Sequence, residues 1–294
     1  MNNALNVPDN ALEVRNLNKT YKSFSLKDVS FEMPKGYIMG FIGPNGAGKT
    51  TTIKSILNII NYQSGSINIL GVDSKDSGAQ INEQIGVVMD SPLYVDDWTI
   101  NDVEKAVSPF YRNWDSPKYS QLLIQFGIDK KKKVKELSRG MKVKLMIAVA
   151  LSHNAKLLIL DEPTSGLDPV ARDEICDLLM DFITDESCSV LFSTHITSDL
   201  EKIADYIAFI LNGKIIYSGL KESLLEKYAM VKGGIGDVTP EHRKLIIGLR
   251  EHKTGFEGIT ELENIGRLPK DLLTVPVTLD EIIIYMNKGV AINE

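Results

Sequence analysis

The fold is decided by residues 43–50, which read Gly43-Pro44-Asn45-Gly46-Ala47-Gly48-Lys49-Thr50. This stretch fits the phosphate-binding pattern G-x-x-x-x-G-K-[ST] at every specified position. Glycines let successive backbone N–H groups close around phosphate oxygens, and the lysine and hydroxyl stand where outer phosphates and a magnesium ion would bind. The stretch therefore predicts a nucleotide-phosphate loop, and a glycine-rich turn without ligand is the less favoured alternative.

The sequence on either side of the loop has the context that such a site requires. Residues 37–42 form a short, mostly apolar run that predicts a buried strand, and residues 51–60 place apolar side chains at helical spacing. Strand, loop and helix thus follow one another in the order expected of a phosphate-binding loop.

Composition bounds the class of protein. The chain has 294 residues, 43% hydrophobic and 24% charged, which is enough for one large or two modest domains with a substantial core. A formal net charge of −6 gives no overall basic field, so nucleic acid is not expected as a direct partner. The two cysteines, Cys176 and Cys188, suggest neither a disulfide framework nor a thiolate metal site, and favour a reducing cytoplasm.

The sequence also predicts that the chain is neither secreted nor membrane-spanning. Its first residues lack a basic stretch followed by an apolar core, and no apolar run approaches the roughly 18 residues needed to cross a bilayer. If the protein serves a membrane process, we expect another chain to supply the membrane part.

The secondary structure that the sequence predicts changes along the chain. Alternating apolar residues predict strands at 11–17 and 29–33. Residues 99–153 are typical of helices, with Thr99 or Asn101 as a cap, a stop near Pro109 and a restart at Ser116-Pro117. This helical stretch is predicted to be an insertion.

Two acids follow the next buried strand. Residues 157–160 are Leu-Leu-Ile-Leu, and Asp161 and Glu162 come directly after them. Parallel strands deliver their carboxyl-end residues to the ligand crevice, so this placement suits nucleotide hydrolysis. Asp161 would hold magnesium together with the Thr50 hydroxyl, while Glu162 would orient or deprotonate an attacking water.

Four further motifs give the sequence a family resemblance. They are Leu137-Ser138-Arg139-Gly140-Met141, Ser165-Gly166-Leu167-Asp168, His195 within Ser-Thr-His, and Tyr21. Together with the phosphate loop and the Asp-Glu pair, they resemble the ATP-binding subunit of an ABC (ATP-binding cassette) transporter. The four correspond to the family signature Leu-Ser-Gly-Gly-Gln, the D-loop, the switch histidine and an adenine-stacking aromatic. The resemblance covers roughly residues 11–220.

The resemblance implies an α/β fold. It has a P-loop NTPase (RecA-like) core, an antiparallel β subdomain, an inserted α-helical subdomain at about 92–153 and a small C-terminal α+β extension. The implied domains are a cassette at 11–220 and an accessory domain at 221–294. Within the latter, the sequence predicts helices near 220–228, from about 240 to 251, and from Thr278.

The resemblance also implies the ligands and the residues that bind them. ATP and Mg²⁺ are the implied cofactors. The residues implied to contact phosphate and nucleotide are Gly43 through Thr51, Tyr21, Asp90, Ser138, Gly140 and Asp168. The implied metal ligands are Thr50 and Asp161. The implied catalytic residues are Lys49, Glu162 and His195, and His195 would act as a γ-phosphate sensor.

The composition of the signature has a physical reading of its own. Ser138 could cap a helix from about Gly140 to Ser152, and Gly140 would let phosphate approach backbone N–H groups that carry the helix's partial positive charge. A second phosphate-facing surface in one chain suggests a composite site. The resemblance implies that each ATP lies between the phosphate loop of one subunit and the signature of another, in a homodimer or a heterodimer.

Three positions depart from the general family pattern. The Q-loop glutamine is replaced by Asp90, an acid that cannot donate an amide hydrogen bond but can accept one from water or face a metal. In the signature, Arg139 replaces Gly and Met141 replaces Gln. Hydrolysis is therefore expected to be slower or differently coupled, while the retained Glu162 and His195 argue against an inactive subunit.

The sequence as a whole indicates a cytoplasmic ATPase motor, peripheral on the inner face of the cell membrane through a separate transmembrane permease. The variants are most similar to Gram-positive ABC-2 exporters of peptides, lantibiotics and phenol-soluble modulins. One alternative is a non-transport ABC ATPase in translation or DNA repair, although only 112 positions separate Lys49 from Asp161, which leaves no room for a long coiled coil. Another is a nucleotide-gated regulatory subunit with little turnover.

Overall fold

A computed structural model describes residues 9–76, 79–90 and 94–291. The chain divides into two compact units, the first ending at Ser218 and the second beginning at Gly219. Residues 1–8 and residues 92 and 93 of the predicted helical insertion lie outside the described residues.

The first unit alternates strands and helices. Its strands are β1 (Asn10–Thr20), β2 (Ser25–Pro34), β3 (Ile38–Ile42), β4 (Ser64–Ile69), β5 (Val72–Asp73), β6 (Ile85–Val88), β7 (Leu157–Asp161), β8 (Ser189–Thr194), β9 (Tyr206–Leu211) and β10 (Lys214–Leu220). Its helices are α1 (Lys49–Ile56), α2 (Ala79–Asn82), α3 (Ile100–Val107), α4 (Ser116–Gln125), α5 (Arg139–Leu151), α6 (Pro169–Phe182) and α7 (Thr197–Ile203).

A six-stranded sheet forms the centre of this unit, in the order β10-β9-β3-β8-β7-β6. Strand β3 pairs in parallel with β8 and β9, and β7 pairs in parallel with β6 and β8. Every residue of β3 and β7 is buried, as expected of parallel strands that are covered on both faces. The two buried strands predicted from the apolar runs are thus confirmed, and β8 lies between them.

An antiparallel sheet in the order β2-β1-β4-β5 packs on this core. Leu12, Val14 and Leu17 of β1 are fully buried, and Phe31 of β2 stacks on Phe41 of β3 with ring centroids 5.4 Å apart. Burying the apolar face of one sheet against another element is what holds such layers together. The predicted α/β class with an antiparallel β subdomain is confirmed.

Helices α3 to α5 form the helical region predicted between the two parts of the central sheet. Thr99 caps α3 by accepting from the Asp102 N–H, and Asp115 caps α4, which carries Pro117 in its first turn. The start at Thr99 and the restart at Ser116-Pro117 are therefore confirmed. These helices share a separate apolar core, which includes Ile100, Val103, Tyr119, Leu123, Leu145 and Ala148.

The second unit is a small α+β domain. Its strands are β11 (Tyr228–Gly233), β12 (Ile247–His252), β13 (Gly255–Glu261) and β14 (Leu273–Pro276), and its helices are α8 (Lys221–Lys227), α9 (Pro240–Arg243) and α10 (Leu279–Ala291). The strands form an antiparallel sheet in the order β12-β13-β11-β14. The class predicted for the C-terminal extension is confirmed.

The helix predicted from about 240 to 251 is wrong in its second half. Helix α9 ends at Arg243, and the chain continues as β12, paired with β13. Gly248 has a φ of +63°, and a Cβ added there would lie 2.3 Å from the backbone oxygen of Tyr285. Pairing with a later strand and the close approach of α10 therefore override the local helical pattern, as tertiary context often does.

Candidate functional site

The phosphate loop connects the end of β3 to the start of α1. Gly46 and Gly48 have φ values of +80° and +115°, in the left-handed region that favours glycine. Among the described residues, no side chain caps α1, and its first turn carries no acid. Its first N–H groups therefore suit an anion, because they have no intrahelical partners and carry the positive end of the helix dipole.

Two details of this segment differ from a generic turn. A Cβ at Gly43 would lie 2.2 Å from the backbone oxygen of Ile210, so glycine is required by the close approach of β9. The following helix is shorter than predicted from residues 51–60, because it ends at Ile56 and Asn58 adopts a φ of +53°. The loop itself is where the sequence placed it.

Lys49 reaches back across the loop. Its side chain is only 6% exposed, and Nζ donates to the backbone oxygen of Gly43 at 2.8 Å. The same Nζ lies 3.2 Å from Oε1 of Glu162. The lysine is thus held in place by the loop and faces the acid that follows β7.

Glu162 sits between two cationic or hydrogen-bonding groups. While Oε1 faces Lys49, Oε2 accepts from Nδ1 of His195 at 2.6 Å. Its backbone N–H donates to the Ser193 oxygen at 2.9 Å, and its φ is +53°, unusual for a residue with a side chain. Such a conformation costs on the order of 1–3 kcal/mol and persists where surrounding contacts impose it, often at functional sites.

Asp161 is the last residue of β7 and is buried. Its Oδ1 makes no hydrogen bond, although that oxygen is fully shielded. Burial raises the pKa of this carboxyl group, and the hydroxyls of Thr50 and Ser193 oppose the shift. A buried carboxylate oxygen without a partner, beside a threonine hydroxyl, fits Mg²⁺, which prefers hard oxygen ligands.

A cavity of about 500 Å³ opens over the phosphate loop. Its lining residues are Ser23, Phe24, Asn45, Gly46, Gly48, Lys49, Thr50, Thr51 and Glu162. Phe24 was not predicted as a site residue. Tyr21, the predicted adenine-stacking aromatic, is not among the lining residues; the residue is 45% exposed, and Lys19 Nζ lies 4.9 Å from the centroid of its ring. The two aromatics lie three positions apart, and nothing in the sequence distinguished them.

The signature segment begins α5. Ser138 caps this helix by accepting from the Met141 N–H at 3.3 Å, as predicted. A Cβ at Gly140 would meet only Ala171 and Leu167 side-chain atoms, at 3.7 and 3.8 Å, which is ordinary van der Waals contact. Packing within this chain therefore does not require glycine at position 140.

Other predicted residues lie outside the cavity lining. Asp168 caps α6, and its Oδ1 accepts from the N–H groups of Val170 and Ala171 at 3.0 Å each. Asp90 pairs with Arg139, with Nη2 to Oδ1 at 2.5 Å. The structure thus brings the phosphate loop together with the acids after β7 and the histidine after β8, whereas the cavity lining includes neither the signature nor the D-loop.

These features define a nucleoside-triphosphate hydrolase of the phosphate-loop class. The sequence profile described as ABC transporter matches residues 26–165. The lantibiotic transport ATP-binding protein SrtF of Streptococcus pyogenes is 37% identical over 208 residues, which cover 70% of this chain and 89% of SrtF. The bacitracin transport ATP-binding protein BcrA of Bacillus licheniformis is 33% identical over 208 residues, covering 70% of this chain and 68% of BcrA.

Solved structures agree with the sequence comparisons. The structure of an ATP-binding subunit of an ABC transporter superposes with a TM-score of 0.66 at 28% identity, covering 73% of this chain and 91% of that one. The chain belongs to the family of ABC transporter ATP-binding subunits.

Membership of this family establishes the activity. The chain is an ATPase that uses ATP and Mg²⁺, and ATP-binding subunits of this family work as dimers with a transmembrane permease. The comparisons support this motor role over translation, DNA repair or a purely regulatory subunit. Across the described residues, none of the helices combines the length and apolar character needed to cross a bilayer.

We predict that Asp161→Asn separates stability from ligand binding. Because burial opposes the ionised carboxylate, the variant should unfold at the same temperature as the wild type, or a higher one, without nucleotide. It should lose most of the stabilisation by Mg-ATP, which for the wild type is about 2.7 kcal/mol at 100 times Kd.

Thermal unfolding with ATP, in magnesium and in EDTA, measures both effects. The matched control is Asp173→Asn on α6, whose side chain is 64% exposed. Full retention of Mg-ATP stabilisation by Asp161→Asn would contradict the assignment of Asp161 to the metal.

Proposed function

We propose that this chain drives an exporter of peptide or peptide-derived antibiotic cargo, at the inner face of the cell membrane through its permease. SrtF and BcrA are lantibiotic and bacitracin transport ATP-binding proteins, and this similarity supports the cargo class. Cargo selection belongs to the membrane partner in this scheme, because the site in this chain is built for phosphates.

The observation that supports the motor chemistry is that Glu162 contacts both Lys49 and His195. These three residues form a row across the adjacent ends of β3, β7 and β8. We assign Gly43 to Thr51 to the triphosphate, with Lys49 on its outer phosphates. Thr50 and Asp161 would hold Mg²⁺. Bound Mg²⁺ supplies positive charge against the phosphate oxygens.

Glu162 is the residue best placed to act on water. Its carboxylate is held by Lys49 on one oxygen and by His195 on the other, so its orientation is fixed before substrate arrives. A positioned carboxylate at this point can orient or deprotonate an attacking water. His195, at the carboxyl end of β8, is placed to hydrogen-bond the terminal phosphate as well as Glu162.

The signature supports a composite site. Gly140 is not needed for packing within the chain, and Ser138 starts a helix whose first N–H groups suit an anion. One chain therefore carries both a phosphate loop and a separate phosphate-facing helix start. Two copies related by a two-fold axis would close two identical sites, each with the loop of one copy and the signature of the other.

We predict that Glu162→Gln abolishes turnover but not ATP-dependent association. Loss of a general base costs on the order of 10²–10⁴ in rate, whereas the amide keeps the size and shape of the side chain. ATPase assays and light scattering with and without Mg-ATP measure the two effects. Glu186→Gln, an exposed acid between α6 and β8, is the control. Unchanged turnover in Glu162→Gln would remove Glu162 from the base role.

The cargo class has its own test. The complex purified from membranes with its permease, in lipid vesicles, should hydrolyse ATP several-fold faster with a lantibiotic or bacitracin than without. A soluble peptide of similar length and low hydrophobicity is the control. Equal turnover with every peptide, together with co-purification of ribosomes or DNA, would contradict the exporter assignment.

A further inference from the structure

The two unusual charged residues of the cassette, Asp90 and Arg139, meet in the fold. Nη2 of Arg139 lies 2.5 Å from Oδ1 of Asp90, although the residues are 49 positions apart. Asp90 follows β6, where the family normally has glutamine, and Arg139 opens α5, where the signature normally has glycine. Each departure from the family pattern thus supplies the partner for the other.

Arg139 also contacts the D-loop. A Cβ added to Gly166 would lie 3.2 Å from Nη1 and 3.4 Å from Cζ of Arg139, so the guanidinium packs directly on this glycine. Gly166 has a φ of +71° and lies four residues after Glu162, in a turn in which the Ser165 N–H donates to the backbone oxygen of Glu162. One side chain therefore links three segments: the end of β6, the start of α5 and the D-loop.

Other contacts anchor the neighbouring parts of these segments independently. Asp97 lies 3.4 Å from Lys133 Nζ and 2.7 Å from Lys135 Nζ, and the Lys135 N–H donates to the Asp96 oxygen at 3.1 Å. These contacts hold the segment that precedes the signature in place without Asp90. The Asp90–Arg139 pair adds a contact at the first residue of α5, Arg139, and through its guanidinium at Gly166.

We propose that Asp90 and Arg139 are a positioning pair for the composite ATP site. Asp90 holds the guanidinium on Gly166. This contact fixes the spacing between the signature and the D-loop, and the nucleotide bound to the partner must fit that spacing. Asp90 then acts through Arg139 and not as a ligand of phosphate or metal. The inference rests on the proposed composite site. It gives Asp90 and Arg139 a role that does not require either residue to contact phosphate.

The expected effect follows from the exposure of the pair. The side chains of Arg139 and Asp90 are 49% and 57% exposed, and exposed ion pairs shift equilibria by about fivefold at most. Breaking the pair should therefore raise the ATP concentration needed for dimer closure by about two- to fivefold, with kcat at saturating ATP unchanged. Once Arg139 is neutral, removing the charge of Asp90 should have no further effect, because Asp90 acts through Arg139.

The test uses the full chain carrying Glu162→Gln, in which ATP-dependent dimerisation is read by light scattering. Asp90→Asn, Arg139→Gln and the double variant Asp90→Asn with Arg139→Gln are compared. We expect each single change to raise the half-maximal ATP concentration, the double variant to raise it no further than Arg139→Gln alone, and high salt to reduce the differences. Asp185→Asn, a similarly exposed acid that pairs with Lys156 at 3.1 Å, should change nothing.

Chains that keep Glu162 supply the second readout. A large loss of kcat at saturating ATP in Asp90→Asn, or an added effect of Asp90→Asn in chains that already carry Arg139→Gln, would overturn the proposed pair, because Asp90 would then act without Arg139. If the Glu162→Gln parent forms no ATP-dependent dimer, the proposed composite site fails, and the positioning pair fails with it. If the parent dimerises but Asp90→Asn still has an effect beside Arg139→Gln, only the pair is wrong.

Discussion

The site depends on the carboxylate of Glu162, which is shared between Lys49 and His195. Three adjacent parallel strands end at one edge of the central sheet, and each delivers one member of this row. The left-handed backbone of Glu162 turns the chain sharply after β7, so that the acid faces the phosphate loop while the preceding residue, Asp161, stays buried. The same geometry places on consecutive residues the carboxylates to which we assign the metal (Asp161) and the attacking water (Glu162).

Local chemistry explains which parts of this arrangement the sequence predicts. The loop at residues 43–50 depends on glycine, lysine and threonine at fixed spacing, and the caps Thr99 and Ser138 depend on a short-range hydrogen bond. Buried parallel strands are visible as continuous apolar runs, as in residues 157–160. For these features, the local physical cause is contained in a few consecutive residues.

The features that were missed depend on distant parts of the chain. Residues 247–252 are a strand because β13 pairs with them and α10 approaches Gly248. Tyr21 and Phe24 both lie in the connection between β1 and β2, and it is Phe24 that lines the cavity. Arg139 was visible only as a departure from a pattern, since its partner Asp90 lies 49 positions away. A single sequence does not contain these pairings.

The central claim is that the phosphate loop is half of a site whose other half is the signature of a second copy. Mixing two inactive variants, Lys49→Ala and Gly140→Asp, tests it most directly. The space around Gly140 and the helix start both tolerate an acid there, so the second variant should fold. Random mixing makes half of the dimers mixed, each with one intact site, so ATPase activity should return to roughly a quarter of the wild-type value. No activity above that of the separate variants would contradict the account.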